Sequence, residues 1–202
     1  MAPKREDSNL SQDSTITIVP DRHEVLYFAY GSNLSTEQMR QRCPDSTPLG
    51  LAYMQGWKWL INERGYANVV RIPDSTSVPA AAASDNNVDG KGKGGSEEKN
   101  RVYGLLYFLP QGDEAKLDVY EGYDWAYGKQ MCDARMILDD QRKQLDIPVK
   151  VLVYVDENNV KESDPKDEYV LRMERGIEDA VSNWCLDEEY ANTVMRRFWK
   201  KM

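Results

Sequence analysis

Short apolar runs broken by polar punctuation dominate the chain, and their spacing is that of strands. Residues 25–30 (VLYFAY), 68–72, 102–109 (VYGLLYFL) and 149–155 (VKVLVYV) are rich in aromatic and β-branched side chains, which suit a pleated, half-buried surface. Residues 129–138 and 147–155 flank the charged segment DDQRK, which reads as the loop of a hairpin. Residues 51–61 form a longer apolar stretch and read as one more strand. Helical signals are fewer. Ser35 with Gln38 three residues on has the capping-box pattern, and Pro44 closes that short helix. Residues 113–121 predict another, ended by Gly122. Pro165 suits a first helical position ahead of residues 166–175, with Gly176 as the stop. A last helix has Asp187, Glu188 and Glu189 at its start and Arg196, Arg197, Lys200 and Lys201 at its end, an order that complements the helix dipole. Ala191, Val194, Met195 and Phe198 form its apolar stripe. Strands first and helices gathered late indicate an α+β domain rather than a βαβ series.

Two stretches fall outside this pattern. Residues 1–24 are polar and read as a flexible tail. Residues 74–100 combine an alanine run, clustered glycines and scattered charge, and read as a disordered insertion. Residues 25–202 are then a single domain, with a core of about 150 residues once the insertion is set aside, enough to bury a substantial interior.

Composition narrows the function classes. With 26 Lys+Arg against 34 Asp+Glu the net charge is −8, which argues against nucleic acid, because phosphate contacts need clustered cations. No basic amphipathic stretch suits a membrane surface, and no window approaches the ~20 apolar residues of a membrane span. The N-terminus carries no apolar run of signal-peptide length. Cys43, Cys132 and Cys185 are odd in number and never paired as CxxC, so they read as small buried hydrophobes in a reducing, cytoplasmic setting. The sequons at Asn9 and Asn33 are then chance matches. His23 is the chain's one histidine and falls in the expected tail, which excludes His-rich metal sites and leaves proton chemistry to carboxylates or tyrosines.

Several local patterns carry candidate chemistry. Residues 85–90 (DNNVDG) match the first half of a calcium loop, but position twelve is Ser96 where a bidentate glutamate is needed. Residues 90–95 (GKGKGG) lack phosphate-loop spacing and read as linker. The string Tyr30-Gly31-Ser32-Asn33-Leu34 lies between an apolar strand and a capped helix, where backbone N–H groups can converge on an anion; a plain strand-to-helix turn uses the same residues. Glu121 closes a short helix among Tyr120, Tyr123, Trp125 and Tyr127. Partial burial and the negative helix end both disfavour its carboxylate and predict a raised pKa, useful in a base; an ordinary surface glutamate is the alternative. Tyr169, one turn into its helix, reads as core.

Taken together, LYFAYGSNLS (residues 26–35) resembles the opening motif of the γ-glutamylcyclotransferase family, whose members release 5-oxoproline from γ-glutamyl compounds. VYGLLYFL resembles that family's second marker strand, LDVYEGY its glutamate-bearing segment and PKDEY the helix start whose tyrosine meets substrate. The likeness runs from Val25 to the C-terminus, interrupted at 74–100. The YGSNL spelling looks closer to the broad γ-glutamyl branch than to the glutathione-specific one.

The resemblance implies a small mixed β-barrel surrounded by helices, with Glu121 as the catalytic base. It implies substrate contacts from Tyr27, Phe28, Ala29, Tyr30, Gly31, Ser32, Asn33 and Leu34, with Tyr127 and Tyr169 completing the pocket. The substrate implied is a small γ-glutamyl molecule, and no metal or cofactor is required. Other readings remain open: a scaffold relative acting on a γ-glutamyl amine or a γ-glutamylated or glutathionylated intermediate, or a non-catalytic γ-glutamyl-binding module. Oligomeric state is not legible from the sequence, and a homodimer stays open.

Overall fold

In the computed structural model, which describes residues 24–73 and 100–199, each apolar run becomes a strand. The expected tail up to residue 23, the bulk of the 74–100 insertion, His23 and the 85–96 patterns lie outside the described residues. Seven strands form: β1 (Glu24–Ala29), β2 (Thr47–Gln55), β3 (Trp57–Ile61), β4 (Ala67–Arg71), β5 (Arg101–Pro110), β6 (Gly128–Asp139) and β7 (Gln144–Val155). Five close into a barrel in the order β1-β5-β2-β6-β7. Neighbours are antiparallel except at the closure, where Tyr27 of β1 lies parallel to Leu152 of β7. This is the mixed barrel expected. The DDQRK segment is the turn between β6 and β7, with the Asp139 carboxylate accepting from the Gln141 and Lys143 amides.

The apolar run over residues 51–61 is two strands, not one. Gly56 adopts the left-handed conformation (φ +79) and turns the chain out of the barrel, so β3 pairs only with β4 in a separate hairpin. At the other end of β2 the register slips around Gly50, whose φ is +151. A Cβ there would stand 1.9 Å from the Leu138 carbonyl oxygen across the β2–β6 pair, so the two backbones approach as only glycine allows.

Helices α1 (Thr36–Arg42), α2 (Gln111–Glu121) and α3 (Asp167–Trp184) pack around the barrel, followed by the short α4 (Glu188–Tyr190). Ser35 caps α1 as its spacing predicted, accepting from the Gln38 amide at 3.2 Å. Two expectations for α3 need correction. Its cap is Lys166, so Pro165 lies just before the helix, and it runs through Gly176 to the left-handed Cys185. Gly176 does not stop the helix because it faces inward: a Cβ there would crowd Leu34, Ser35 and Ser32, so the missing side chain lets α3 lie on that turn. Tyr169, Met173, Gly176, Ile177 and Ala180 form its buried face, and full burial of Met173 and Ile177 contributes roughly 1.5–3 kcal/mol each. The C-terminal helix is likewise less regular than its pattern. Asp187 caps it, but after α4 it widens to a π turn (Ala191–Met195) and tightens to a 3₁₀ turn (Arg196–Phe198); Ala191 and Met195 are fully buried, Val194 and Phe198 only partly.

Candidate functional site

The end of β1, the 3₁₀ turn behind it, the C-terminus of α2 and the first turns of α3 meet around a cavity of about 230 Å³. Tyr27, Tyr30, Gly31, Ser32, Asn33, Glu121, Tyr127 and Tyr169 all line it. Phe28, Ala29 and Leu34 do not: they are fully buried in the core and face away from it. A larger cleft of about 710 Å³ lies between Trp57 and Tyr190, with none of the residues the sequence marked as site candidates.

Asn33 organises the polar side of the cavity. It is buried, and every hydrogen-bonding position on its amide is used. Its Nδ2 donates to Glu121 Oε1 and to the Tyr27 hydroxyl, both at 2.9 Å. Its Oδ1 accepts from Gln38 Nε2 (2.8 Å) and from an Arg42 Nη1 (3.0 Å). Gln38 Nε2 also donates to Ser32 Oγ at 2.9 Å, and the Tyr107 hydroxyl holds the Asn33 carbonyl at 3.2 Å. The turn is therefore wired to α1, to the barrel and to α2 at once.

Glu121 reaches the cavity because α2 stops there. Gly122 takes the left-handed conformation (φ +64) and the Tyr123 amide bonds back to the Asp118 carbonyl at 2.8 Å, a Schellman closure. The Trp125 indole folds over Gly122 so closely that a Cβ would sit 2.6 Å from it. The helix is anchored from the barrel side, since Lys129 bridges Glu114 and Asp118 while the Tyr154 hydroxyl donates to Asp118 at 2.7 Å.

Burial pushes the Glu121 carboxyl above its usual value of 4.5. The Arg42 guanidinium, the Asn33 hydrogen bond and, more weakly, Arg172 and Arg64 oppose that rise. The carboxylate thus stands as a strengthened base with cations close by. Burial also raises the phenols of Tyr27, Tyr30, Tyr127 and Tyr169, so each is a neutral hydroxyl at physiological pH. Two of these protons are already used: Tyr30 donates to the Tyr154 carbonyl (2.6 Å) and Tyr127 to the Ala67 carbonyl (3.0 Å). The Tyr27 hydroxyl instead accepts, from Asn33, which leaves its proton for a ligand, and the Tyr169 hydroxyl lies against Gly31, 3.0 Å from where a Cβ would stand.

Sequence reasoning missed the arginines. Arg42, Arg64 and Arg172 all line the cavity and make it cationic around Glu121, a setting for an anionic ligand inside an acidic protein. They come from α1, the β3–β4 turn and α3, and nothing local in the sequence distinguishes them from other surface arginines; only the placement of Arg172 one turn after Tyr169 could have drawn notice.

The geometry makes Asn33→Asp a direct probe of this wiring. A second carboxyl within hydrogen-bond distance of Glu121 cannot ionise together with it, so the pair holds a proton to higher pH. The midpoint of the carboxyl titration, followed by NMR on labelled glutamate, is expected to rise by about one unit or more. An unchanged midpoint would mean that Asn33 does not sit against the base.

A family model described as "Gamma-glutamyl cyclotransferase, AIG2-like" matches residues 27–172. That span includes every cavity residue named above. Among solved structures, one titled "Gamma-glutamyl cyclotransferase" superposes with a TM-score of 0.60 at 20% identity, covering 85% of this chain and 86% of its own. An uncharacterized protein from Homo sapiens gives 0.58 at 20% identity, covering 85% and 86%. YkqA from Bacillus subtilis gives 0.58 at 19% identity, covering 88% of this chain and 55% of that one. At such identities the likeness to these structures is one of fold. A search of curated protein sequences finds no significant match.

Proposed function

Because the chain belongs to the gamma-glutamyl cyclotransferase, AIG2-like family, we propose that it cleaves γ-glutamyl compounds into 5-oxoproline and a free amine, with Glu121 as the proton carrier. One observation carries this reading: a half-buried carboxylate with raised basicity, fixed by Asn33 in a cationic cavity beside the YGSN turn.

The substrate contains both reactants. Its α-amine attacks its own γ-carbonyl carbon, so catalysis is chiefly positioning, for which effective molarities reach ~10⁵ M or more. Only the unprotonated amine is a nucleophile. Glu121 takes a proton from the ammonium, and the new C–N bond closes the five-membered ring. The tetrahedral centre then expels the original amide nitrogen, to which Glu121 returns the proton, and the ring nitrogen gives up its second hydrogen to the departing amine, which leaves as an ammonium. No water is consumed, and the atoms of the substrate divide between the two products.

The backbone of residues 27–32 and the Ser32 hydroxyl would hold the glutamyl α-carboxylate and face the charge growing on the carbonyl oxygen. Ser32 Oγ already accepts from Gln38, so its own proton is free to point into the cavity. Arg42, joined to Glu121 through Asn33, adds a positive charge beside the carboxylate that the α-carbon carries. Tyr169 would close the pocket with its hydroxyl.

The test is a panel of γ-glutamyl amino acids, glutathione and a γ-glutamylamine, scored by 5-oxoproline release across pH. At least one is expected to turn over, with kcat/KM rising as Glu121 deprotonates and the acid-limb midpoint above 4.5, because a raised pKa delays ionisation. No product from any compound would overturn the reading in favour of a binding role.

A further inference from the structure

We infer that Arg64 recognises a second carboxylate, carried by the departing half of the substrate, so that γ-glutamyl amino acids or peptides are preferred over γ-glutamylamines. This inference rests on the cyclotransferase reading and names the substrate class within it.

Arg64 stands in the turn between β3 and β4 and lines the cavity. Its guanidinium lies among the rings of Tyr127, Trp125 and Tyr66, at 5.3, 5.4 and 5.9 Å from their centroids. One nitrogen is tethered: Nη1 donates to the Ala126 carbonyl (3.0 Å) and to Asp156 Oδ2 (3.3 Å). Asp156 is itself buried and held by Asn62 and Asn159, so that end is fixed. Among the described residues, no acceptor meets Nε or Nη2. A rigidly stacked guanidinium with Nε and Nη2 open is the fork that binds a carboxylate through two parallel N–H···O bonds.

The three arginines are not equivalent. Arg172 spends its fork on Glu168, with Nε at 3.0 Å and Nη2 at 3.3 Å. Arg42 is one hydrogen-bonded step from the base, through Asn33. The glutamyl α-carboxylate shares a carbon with the amine that Glu121 must deprotonate, so it has to lie near the base, on the Arg42 side. Arg64 has the weakest pull of the three on Glu121 and suits a carboxylate at the far end of the substrate.

γ-Glutamylalanine and γ-glutamylethylamine differ only in the carboxylate of the departing half, which makes them the paired probes. Wild-type protein is expected to favour γ-glutamylalanine by about tenfold or more in kcat/KM, mostly through KM. In Arg64→Gln the ratio is expected to fall to near one. Comparing two substrates on one sample cancels any partial loss of folded protein. Should that variant not fold, Arg64→Gln made together with Asp156→Asn leaves no buried carboxylate unpaired and reads the same ratio. Equal turnover of both compounds by the wild type, or a preference that survives in a folded variant, would overturn the assignment of Arg64 while leaving the cyclotransferase reading intact. No 5-oxoproline from either compound would overturn the assignment of Arg64, and the cyclotransferase reading falls with it only if the rest of the panel is silent too.

Discussion

Glu121→Gln is expected to lower 5-oxoproline formation by about 10²- to 10⁴-fold, the usual contribution of a positioned base. The same variant should be at least as stable as wild type at neutral pH. The Glu121 carboxyl is raised in the folded protein, chiefly by burial, so charging it opposes folding above its ordinary value of 4.5. Glutamine removes that charge and can still accept from Asn33 through its amide oxygen. Any advantage in melting temperature should therefore be largest above the raised pKa. It should shrink toward zero as the pH falls below the unfolded value, where both side chains are neutral. Near-wild-type turnover would remove Glu121 from the mechanism. A lower melting temperature at neutral pH would mean that the carboxylate's contacts with Asn33 and Arg42 outweigh its burial.

Gly50→Ala is expected to produce the largest loss of stability of any glycine-to-alanine change among the described residues. The new Cβ would fall 1.9 Å from the Leu138 oxygen and 2.9 Å from the Asp139 Cα, all backbone, with φ at +151. No side chain can swing away to make room, so the β2–β6 pair must part where the barrel depends on it. A cost of at least about 3 kcal/mol is expected, at the upper end for single substitutions. Thermal unfolding should then begin about 6–12 °C lower for a domain of this size. A shift of only a degree or two would show that β2 and β6 separate there freely.

The barrel was legible because its strands are short, apolar and bounded by polar turns, and side chains on a pleated surface alternate whatever their partners are. The β3–β4 hairpin was less so. Leu51 to Ile61 is continuously rich in apolar residues, and only the conformation at Gly56 shows that the chain leaves the barrel there. Gly176 misled for the opposite reason: read as a stop, it is a contact point, and a contact depends on Leu34 and Ser32, far away in the chain. The cavity divides in the same manner. The YGSN turn and Glu121 could be named in advance through their motifs. Asn33 as the hub could not, because its partners Tyr27, Gln38, Arg42 and Glu121 converge only in three dimensions. The arginines were invisible because a guanidinium acquires its role from what it stacks on and what it lacks as a partner.

The parallel closure of β1 on β7 also makes the cavity a long-range construction. Its partners, Tyr27 and Leu152, lie far apart in the chain, and forming such a contact costs more loop entropy than any hairpin in the barrel. Tyr27 and Tyr30 both line the cavity, and Tyr30 is bonded to the carbonyl of Tyr154 on β7. Tyr30 therefore takes its place in the cavity wall together with that distant pairing. Part of the binding pocket thus hangs on a contact between distant segments, and whatever frays β7 from β1 loosens it.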